Sequence, residues 1–175
     1  MKRILLIAFV LFGSYTTVNA QAFGVKAGFN FANFTGNDAN DFNVLTSFHA
    51  GLVAEMHLLE ALSVQPELLY SMQGAKTKEE TYKLNYVSVP VMLKLYFTDG
   101  FNVQVGPQIG LLISESDNFT PYDSTTYDLG FAGGAEFFFA DNLSVQARYN
   151  AGATKISDNR ELKNSALQLS LCYMF

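Results

Sequence analysis

The sequence is poor in cysteine, tryptophan, proline and basic residues. It contains one cysteine, no tryptophan, four prolines, and 11 basic residues against 16 acidic ones. The single cysteine, Cys172, excludes an intrachain disulfide framework and is expected to be a small buried side chain. The low content of Lys and Arg argues against a nucleic acid partner, since phosphate binding requires clustered Lys and Arg side chains.

Long apolar runs are also scarce. The run Ile4 to Phe12 follows two basic residues and precedes a small-residue stretch that ends at Ala20. This order is typical of a secretory signal peptide, so we predict a leader over residues 1–20 and one domain over residues 21–175. No later segment is long enough to cross a bilayer as a helix, and a mature chain that enters a membrane must then do so as a closed barrel.

The mature sequence is rich in residues that alternate between apolar and polar or small. In the last strand, Leu167, Leu169, Leu171, Tyr173 and Phe175 share one face at a period of two. Alternation predicts eight strands in all, an even number as such barrels require. Their predicted ranges are Ala22–Phe34, Leu45–Leu58, Leu62–Gly74, Tyr86–Phe97, Phe101–Ile113, Tyr127–Phe139, Leu143–Gly152 and Ala166–Phe175.

The connections between these strands alternate between short and long. Three short ones each place three residues between apolar residues of matching parity: Leu58 and Leu62, Phe97 and Phe101, Phe139 and Leu143. Gly100 and Asn142 are predicted to take a left-handed backbone conformation in these turns, whereas Ala61 suits that position poorly. Four longer polar connections lie between them, the layout of an outer-membrane barrel with periplasmic turns and extracellular loops.

Two kinds of barrel fit this alternation. A secreted lipocalin-like barrel would turn its apolar face inward, whereas a transmembrane barrel turns it to lipid. The interior of an eight-stranded barrel is only just wide enough for side chains, and the strand glycines share one face while the bulky apolar residues share the other. We therefore predict an all-β, eight-stranded antiparallel up-and-down transmembrane β-barrel with its glycine face inside.

The charged residues of the strands lie on the glycine-bearing face. They are Lys26, Glu55, Glu67, Lys94, Glu136 and Arg148. A Lys or Arg side chain that faced lipid at the middle of the bilayer would cost about 2 to 4 kcal/mol, which supports the inward placement of these residues. Counting from the short turns puts three of them on one level and two on the next, so we predict an ion-pair belt that, with Gln65, Gln104, Gln146 and Tyr96, plugs the lumen. Interior polar packing without a further role is the alternative interpretation.

Three prolines conflict with this arrangement. Pro66, Pro90 and Pro107 fall inside predicted strands, where each removes a hydrogen-bond donor from the ladder. Pro107 is expected to face Val91, next to Pro90. We therefore predict a bulge or local irregularity at that point.

Several stretches together resemble the PorT-like outer-membrane β-barrel family. They are GVKAGFNF at Gly24–Phe31, QPELLYS at Gln65–Ser71, SVPVMLKLYF at Ser88–Phe97, ARYN at Ala147–Asn150, and the closing YMF. The resemblance implies an outer-membrane barrel in a family of diverse roles, one of them assistance to a secretion system, and it implies no catalytic residues. The last strand also resembles the final strands that the barrel assembly machinery reads, which would make Leu169, Leu171, Tyr173 and Phe175 an assembly signal.

Catalytic and metal chemistry find little support in the sequence. Ser47 and His49 share one strand face, but spacing identifies no third group to orient the histidine. His57 lies about 25 Å further along the strand, too far to share a metal with His49. We predict no enzyme activity, no cofactor and no metal site.

The predicted function is that of a small monomeric outer-membrane barrel with a plugged lumen, which contacts membrane lipid and acts structurally or through its extracellular loops. One alternative is an accessory barrel of a secretion or envelope complex that binds an envelope protein through its loops. A second alternative is an outer-membrane lipid hydrolase.

Overall fold

The computed structural model describes residues 21–36, 39, 42–78, 80–116, 126–155 and 162–175. The predicted leader, residues 1–20, lies outside them. The eight strands are β1 (Gln21–Thr35), β2 (Asn43–Leu59), β3 (Leu62–Lys76), β4 (Thr81–Thr98), β5 (Phe101–Glu115), β6 (Tyr127–Ala140), β7 (Leu143–Gly152) and β8 (Lys163–Met174). They confirm the eight predicted strands, most of which extend beyond their predicted ends at the long loops.

The strands close into an antiparallel barrel in sequence order, and β1 pairs with β8 to complete it. Gly24 pairs with Met174 on one side of β1, and Gln21 pairs with Met56 on the other. The beginning of β1 and the end of β8 therefore both lie at the short-turn end. Within the described residues, no helix has the length and apolar content needed to cross a membrane.

The three short turns share one geometry. The last pairs before them are Leu59 with Leu62, Thr98 with Phe101, and Ala140 with Leu143, and each follows a register shift in the ladder. The surplus residue is accommodated as a bulge at the end of the strand before the turn. The prediction of a left-handed Gly100 is therefore wrong, and positive φ angles among the described glycines occur at Gly36 and Gly74 instead.

Pro90 and Pro107 do not shift the register. Pro90 is opposite Gln108 and Leu93 is opposite Val105, which leaves the offset between β4 and β5 unchanged across the prolines. Of the two predicted alternatives, the bulge is wrong and the local irregularity is confirmed. The missing donors instead leave the two intervening residue pairs outside the hydrogen-bonded ladder, a gap that the flanking pairs hold in register.

The two faces of the sheet are divided as predicted. Phe29 and Phe131 are each 63% exposed on the outside, whereas Lys26 and Lys94 are buried within the barrel. Interior glycines allow neighbouring strands to approach closely, since a Cβ on Gly51 would collide with the carbonyl oxygen of Leu68. Cys172 is buried and free, as predicted.

The long-loop end of the lumen holds an apolar cluster that the sequence analysis did not predict. We call it the aromatic cap, and it consists of Phe34, Phe42, Ala75, Tyr82, Leu84, Tyr86 and Leu162. Phe42 packs edge-on against Phe34 and Tyr82, with ring centroids 5.0 and 5.7 Å apart. Near this end β3 contains Gly74, whose φ of 128° few residues other than glycine tolerate. Here bulky apolar side chains face inward, against the rule that places them on the outside.

Candidate functional site: the ion-pair belt of the lumen

The first half of the ion-pair belt is a triad of Glu55, Lys94 and Glu136, contributed by β2, β4 and β6. Lys94 Nζ lies 2.7 Å from Glu55 Oε2 and 2.6 Å from Glu136 Oε2, so one ammonium bridges two carboxylates. It also donates to Gln65 Oε1 at 2.8 Å, and the Tyr96 hydroxyl donates to Glu55. Three further side chains donate to Glu136: Asn102, Ser144 and Gln146.

The second half of the belt is a triad of Lys26, Glu67 and Arg148, contributed by β1, β3 and β7. Arg148 binds Glu67 with both terminal nitrogens, at 2.9 and 2.8 Å, in the bidentate arrangement that suits a carboxylate. Lys26 Nζ approaches the same carboxylate at 3.3 Å. Gln65 donates to Glu67 at 2.7 Å, and Gln104 accepts from Arg148. Gln65 therefore connects the two triads.

Together the two triads form a neutral set that is removed from water. Three acids face three bases, and each of the six residues is at most 3% exposed. Burying a charge is costly unless it is paired and hydrogen bonded, and here each charged group has at least one partner of opposite sign. The arrangement therefore suits a closed structural core, because its matched signs leave no continuous path of one charge for an ion to follow.

The lumen is also filled on both sides of the belt. The aromatic cap occupies the long-loop end, and Val53, Cys172 and Met174 form an apolar cluster at the short-turn end. A cavity beside β6 and β7, lined by residues that include Asp128, Asn150 and Asn164, has a volume of about 10 Å³, roughly the minimum that admits one water molecule. Side chains thus occupy the bore at the level of the belt and at each of the two apolar clusters.

A second polar cluster lies directly above the belt and joins the first and last strands. His49 Nε2 is 2.8 Å from Ser170 Oγ, and His49 Nδ1 is 2.8 Å from Asn30 Oδ1. Asn30 also accepts from Gln168 and donates to the Ser71 hydroxyl. We call these five residues the seam network, since they connect β8 to β1, β2 and β3.

Ser47 and His49, which share one strand face, have separate hydrogen-bond partners. Ser47 donates to the backbone carbonyl of Met72 at 2.6 Å, and His49 is occupied by Asn30 and Ser170. His49 is buried inside the barrel, opposite Gly28 and two residues above the level of Lys26. A serine, a histidine and an asparagine thus form a relay that spacing along a single strand could not show, because its members come from β8, β2 and β1.

The remaining predicted site residues lie on the outer surface. Leu169, Leu171, Tyr173 and Phe175, the predicted assembly signal, are between 41% and 78% exposed along β8 and beyond its end. His57 lies near a short turn, with its Nε2 atom 3.8 Å from Glu55 Oε1.

Among the described residues, no group of three or more His, Cys, Asp or Glu side chains could hold a metal ion.

Comparisons with known proteins agree with this architecture. The family described as "Outer membrane protein beta-barrel domain" matches residues 17–158, most of the chain. Neisserial surface protein A, at 14% identity, superposes with a TM-score of 0.61 over 90% of this chain and 100% of its own. Ail, the attachment invasion locus protein of Yersinia pestis, gives a TM-score of 0.55 at 14% identity over 89% of this chain and 99% of its own.

The structural similarities show the fold alone at this level of identity. No curated protein shows significant sequence similarity to the chain. The exposed apolar outer surface and the matching family together place the barrel in the outer membrane.

Proposed function

Since the chain belongs to the family of outer membrane protein beta-barrel domains, we propose that it is a monomeric, non-enzymatic barrel with a plugged lumen that acts through its extracellular loops. The proposal includes export by a leader that ends at Ala20. Loop residues 37–38, 40–41, 79, 117–125 and 156–161 lie outside the described part of the chain. The proposal for the loops is therefore supported by their length and position alone.

The observation that supports a plugged lumen is the belt itself. Lys94 and Arg148 reach across the bore to carboxylates on other strands, and residues of both triads share Gln65 as a partner. Opening a path would separate buried ion pairs, which costs about 3 to 5 kcal/mol for each charge left without its partner. The closed arrangement is then strongly favoured over an open one.

Planar-bilayer conductance of the refolded protein tests the plug. We expect no stable large conductance from the parent protein. A variant in which Glu55, Lys94 and Glu136 are all changed to Ala removes one whole triad. The remaining belt then has a net charge of +1, but Lys26 and Arg148 keep their carboxylate partner Glu67. This variant is expected to conduct more than the parent. A stable large pore in the parent protein would refute the plug, and boiled against unboiled gel mobility verifies folding in both samples.

The PorT-like resemblance supports a finer proposal within the family. Four of the stretches on which it rests supply belt residues, namely Lys26, Glu67, Lys94 and Arg148. A PorT-like protein would be an accessory barrel of a secretion or envelope complex. Recovery of one stable envelope partner after crosslinking in intact cells would favour this role, and a barrel recovered alone would favour the independent monomer.

A lipid hydrolase is the second candidate, and the seam network is the observation in its favour. Ser170, His49 and Asn30 have the hydrogen-bond order of a nucleophile, a base and an orienting group. All three are buried inside the plugged lumen, where a lipid ester has no access, so we propose a structural role for them. We expect the parent protein and His49→Ala to release no fatty acid from phospholipid or lipid A. Release by the parent that His49→Ala abolishes would establish the hydrolase instead.

A further inference from the structure

The outer surface of the barrel carries an apolar groove of about 560 Å³ that crosses β5 to β8 and β1. Its floor is low because small side chains, Ala27, Ala135 and Ala147, point outward there. Ala135 and Ala147 are directly paired across β6 and β7. Larger side chains such as Phe29 and Phe137 stand beside them and form walls.

The opposite side of the barrel has a different profile. At outward positions of β3, β4 and β5, the residues include Leu68, Leu93 and Val105, which are bulky and between 44% and 57% exposed. We call this the even side, because these outward residues are bulkier than the alanines on the floor of the groove.

The groove lies in the short-turn half of the barrel, and acidic residues stand beyond its end. Phe101 and Phe137 line it and are paired where β5 begins. The exposed Asp99 and Asp141 occupy the turns next to these strands, and the third short turn carries Glu60. Each short turn thus has one acid and no base.

We propose that this groove binds one acyl chain of a phospholipid whose headgroup carries an ammonium, with the ammonium near Asp99 and Asp141. The groove is continuous with the surface that contacts membrane hydrocarbon, so an acyl chain is the apolar occupant available to it. Its volume is within the range of roughly 300 to 1,000 Å³ that ligand pockets occupy. Two carboxylates beyond one end attract the ammonium of a zwitterionic headgroup and repel a headgroup of net negative charge. The proposal does not depend on whether the lumen is plugged.

The absence of tryptophan makes a clean spectroscopic test possible. Leu169→Trp places one fluorophore on the groove wall, and Leu93→Trp places one on the even side. Both leucines face outward and are 46% and 44% exposed. Each is paired with the fifth residue of a strand that follows a short turn, Leu169 with Ala147 and Leu93 with Val105. Each variant is refolded into vesicles that contain increasing fractions of phosphatidylethanolamine or phosphatidylglycerol with brominated acyl chains, which quench nearby tryptophan.

We expect L169W to reach half-maximal quenching at roughly tenfold lower fractions of brominated phosphatidylethanolamine than L93W, the gain that about two additional buried methylene groups provide. Adding Ala147→Leu fills the groove and should make the two curves coincide. Adding Ala54→Leu, an outward alanine that does not line the groove, should leave the difference intact. Changing Asp99 and Asp141 to Asn should remove the preference for phosphatidylethanolamine over phosphatidylglycerol.

Two results would overturn the proposal. One is identical quenching of L169W and L93W by both lipids, which would mean that the groove holds lipid no longer than the rest of the surface. The other is protection of L169W by a second copy of the chain, seen as a crosslinked dimer that Ala147→Leu abolishes. Phe29→Trp, on another wall of the groove, provides a second reporter should L169W fail to refold.

Discussion

The ion-pair belt and the aromatic cap fill the same bore by opposite physical means. The belt uses directional contacts among six charged residues whose signs cancel. The cap uses apolar packing around Phe42, which has no directional requirement beyond close contact. Their difference shows that inward-facing positions of a small barrel need not be polar. Apolar side chains can fill one segment of the lumen if they pack against each other, and charged side chains can fill another if each has a partner.

The two regions should also respond differently to damage. A buried ion pair contributes little net stability, yet loss of one member leaves the other charged and without a partner. An apolar cluster loses the transfer free energy of the removed atoms plus a cavity term, and it can partly collapse. The belt is therefore expected to be the more sensitive to single changes and the more tolerant of coordinated ones.

The largest effect is expected from Glu67→Ala in the belt. This change leaves both Lys26 and Arg148 buried without their carboxylate, so the free energy of unfolding should fall by about 3 to 5 kcal/mol. Urea titration of the refolded protein in lipid vesicles measures it. Glu60→Gln, in an exposed turn, is the control and should change stability by less than about 0.5 kcal/mol. Equal losses in both variants would contradict the ranking.

A smaller loss is expected from Leu84→Ala in the cap. Leu84 is fully buried among aromatic rings, and its truncation should cost about 2 to 3 kcal/mol, at the lower end of the usual range because the cap borders the loops and can close in. The matched control is Leu93→Ala, an outward leucine on the same strand. A cap variant that costs more than Glu67→Ala would reverse the comparison.

The smallest effect is expected from changing Lys26, Glu67 and Arg148 to Met together. Apolar residues of similar length replace the whole triad. The other triad then carries a net charge of −1, but each of its groups keeps its partner, since Lys94 still bridges Glu55 and Glu136. Stability should therefore return to within about 1 to 2 kcal/mol of the parent protein. The same urea titration measures it. A triple variant as unstable as Glu67→Ala would show that the belt contributes through the charges themselves and not through their matching.

Much of the fold could be predicted because alternation carries the information. A period of two defined the strands and their faces, and the matched parity of Phe97 with Phe101 set the register beyond the turn, where Lys94 is opposite Gln104. Glu55, Lys94 and Glu136 could be placed on one level by counting from such turns. At that level the side chain of Lys94 is long enough to reach both carboxylates.

The cap and the seam network could not be predicted in the same way. Tyr82 and Leu84 continue the inward parity of Tyr86, but the predicted strand began at Tyr86 and the residues before it were assigned to a long polar connection. His49 and Ser170 are 121 residues apart, and neither strand alone indicates the contact. In both cases the missing information was tertiary: which residues meet across a closed cylinder depends on curvature as well as on period.

The seam network has a consequence for the order of events in assembly. His49 and Asn30 belong to the first two strands, and part of their hydrogen bonding comes from Ser170 and Gln168, near the end of the chain. Until that final segment docks, His49 lacks the Ser170 hydroxyl and Asn30 lacks the Gln168 amide, although the two residues still bond to each other. Docking of the last strand therefore completes the interior hydrogen bonding in the same step that closes the cylinder.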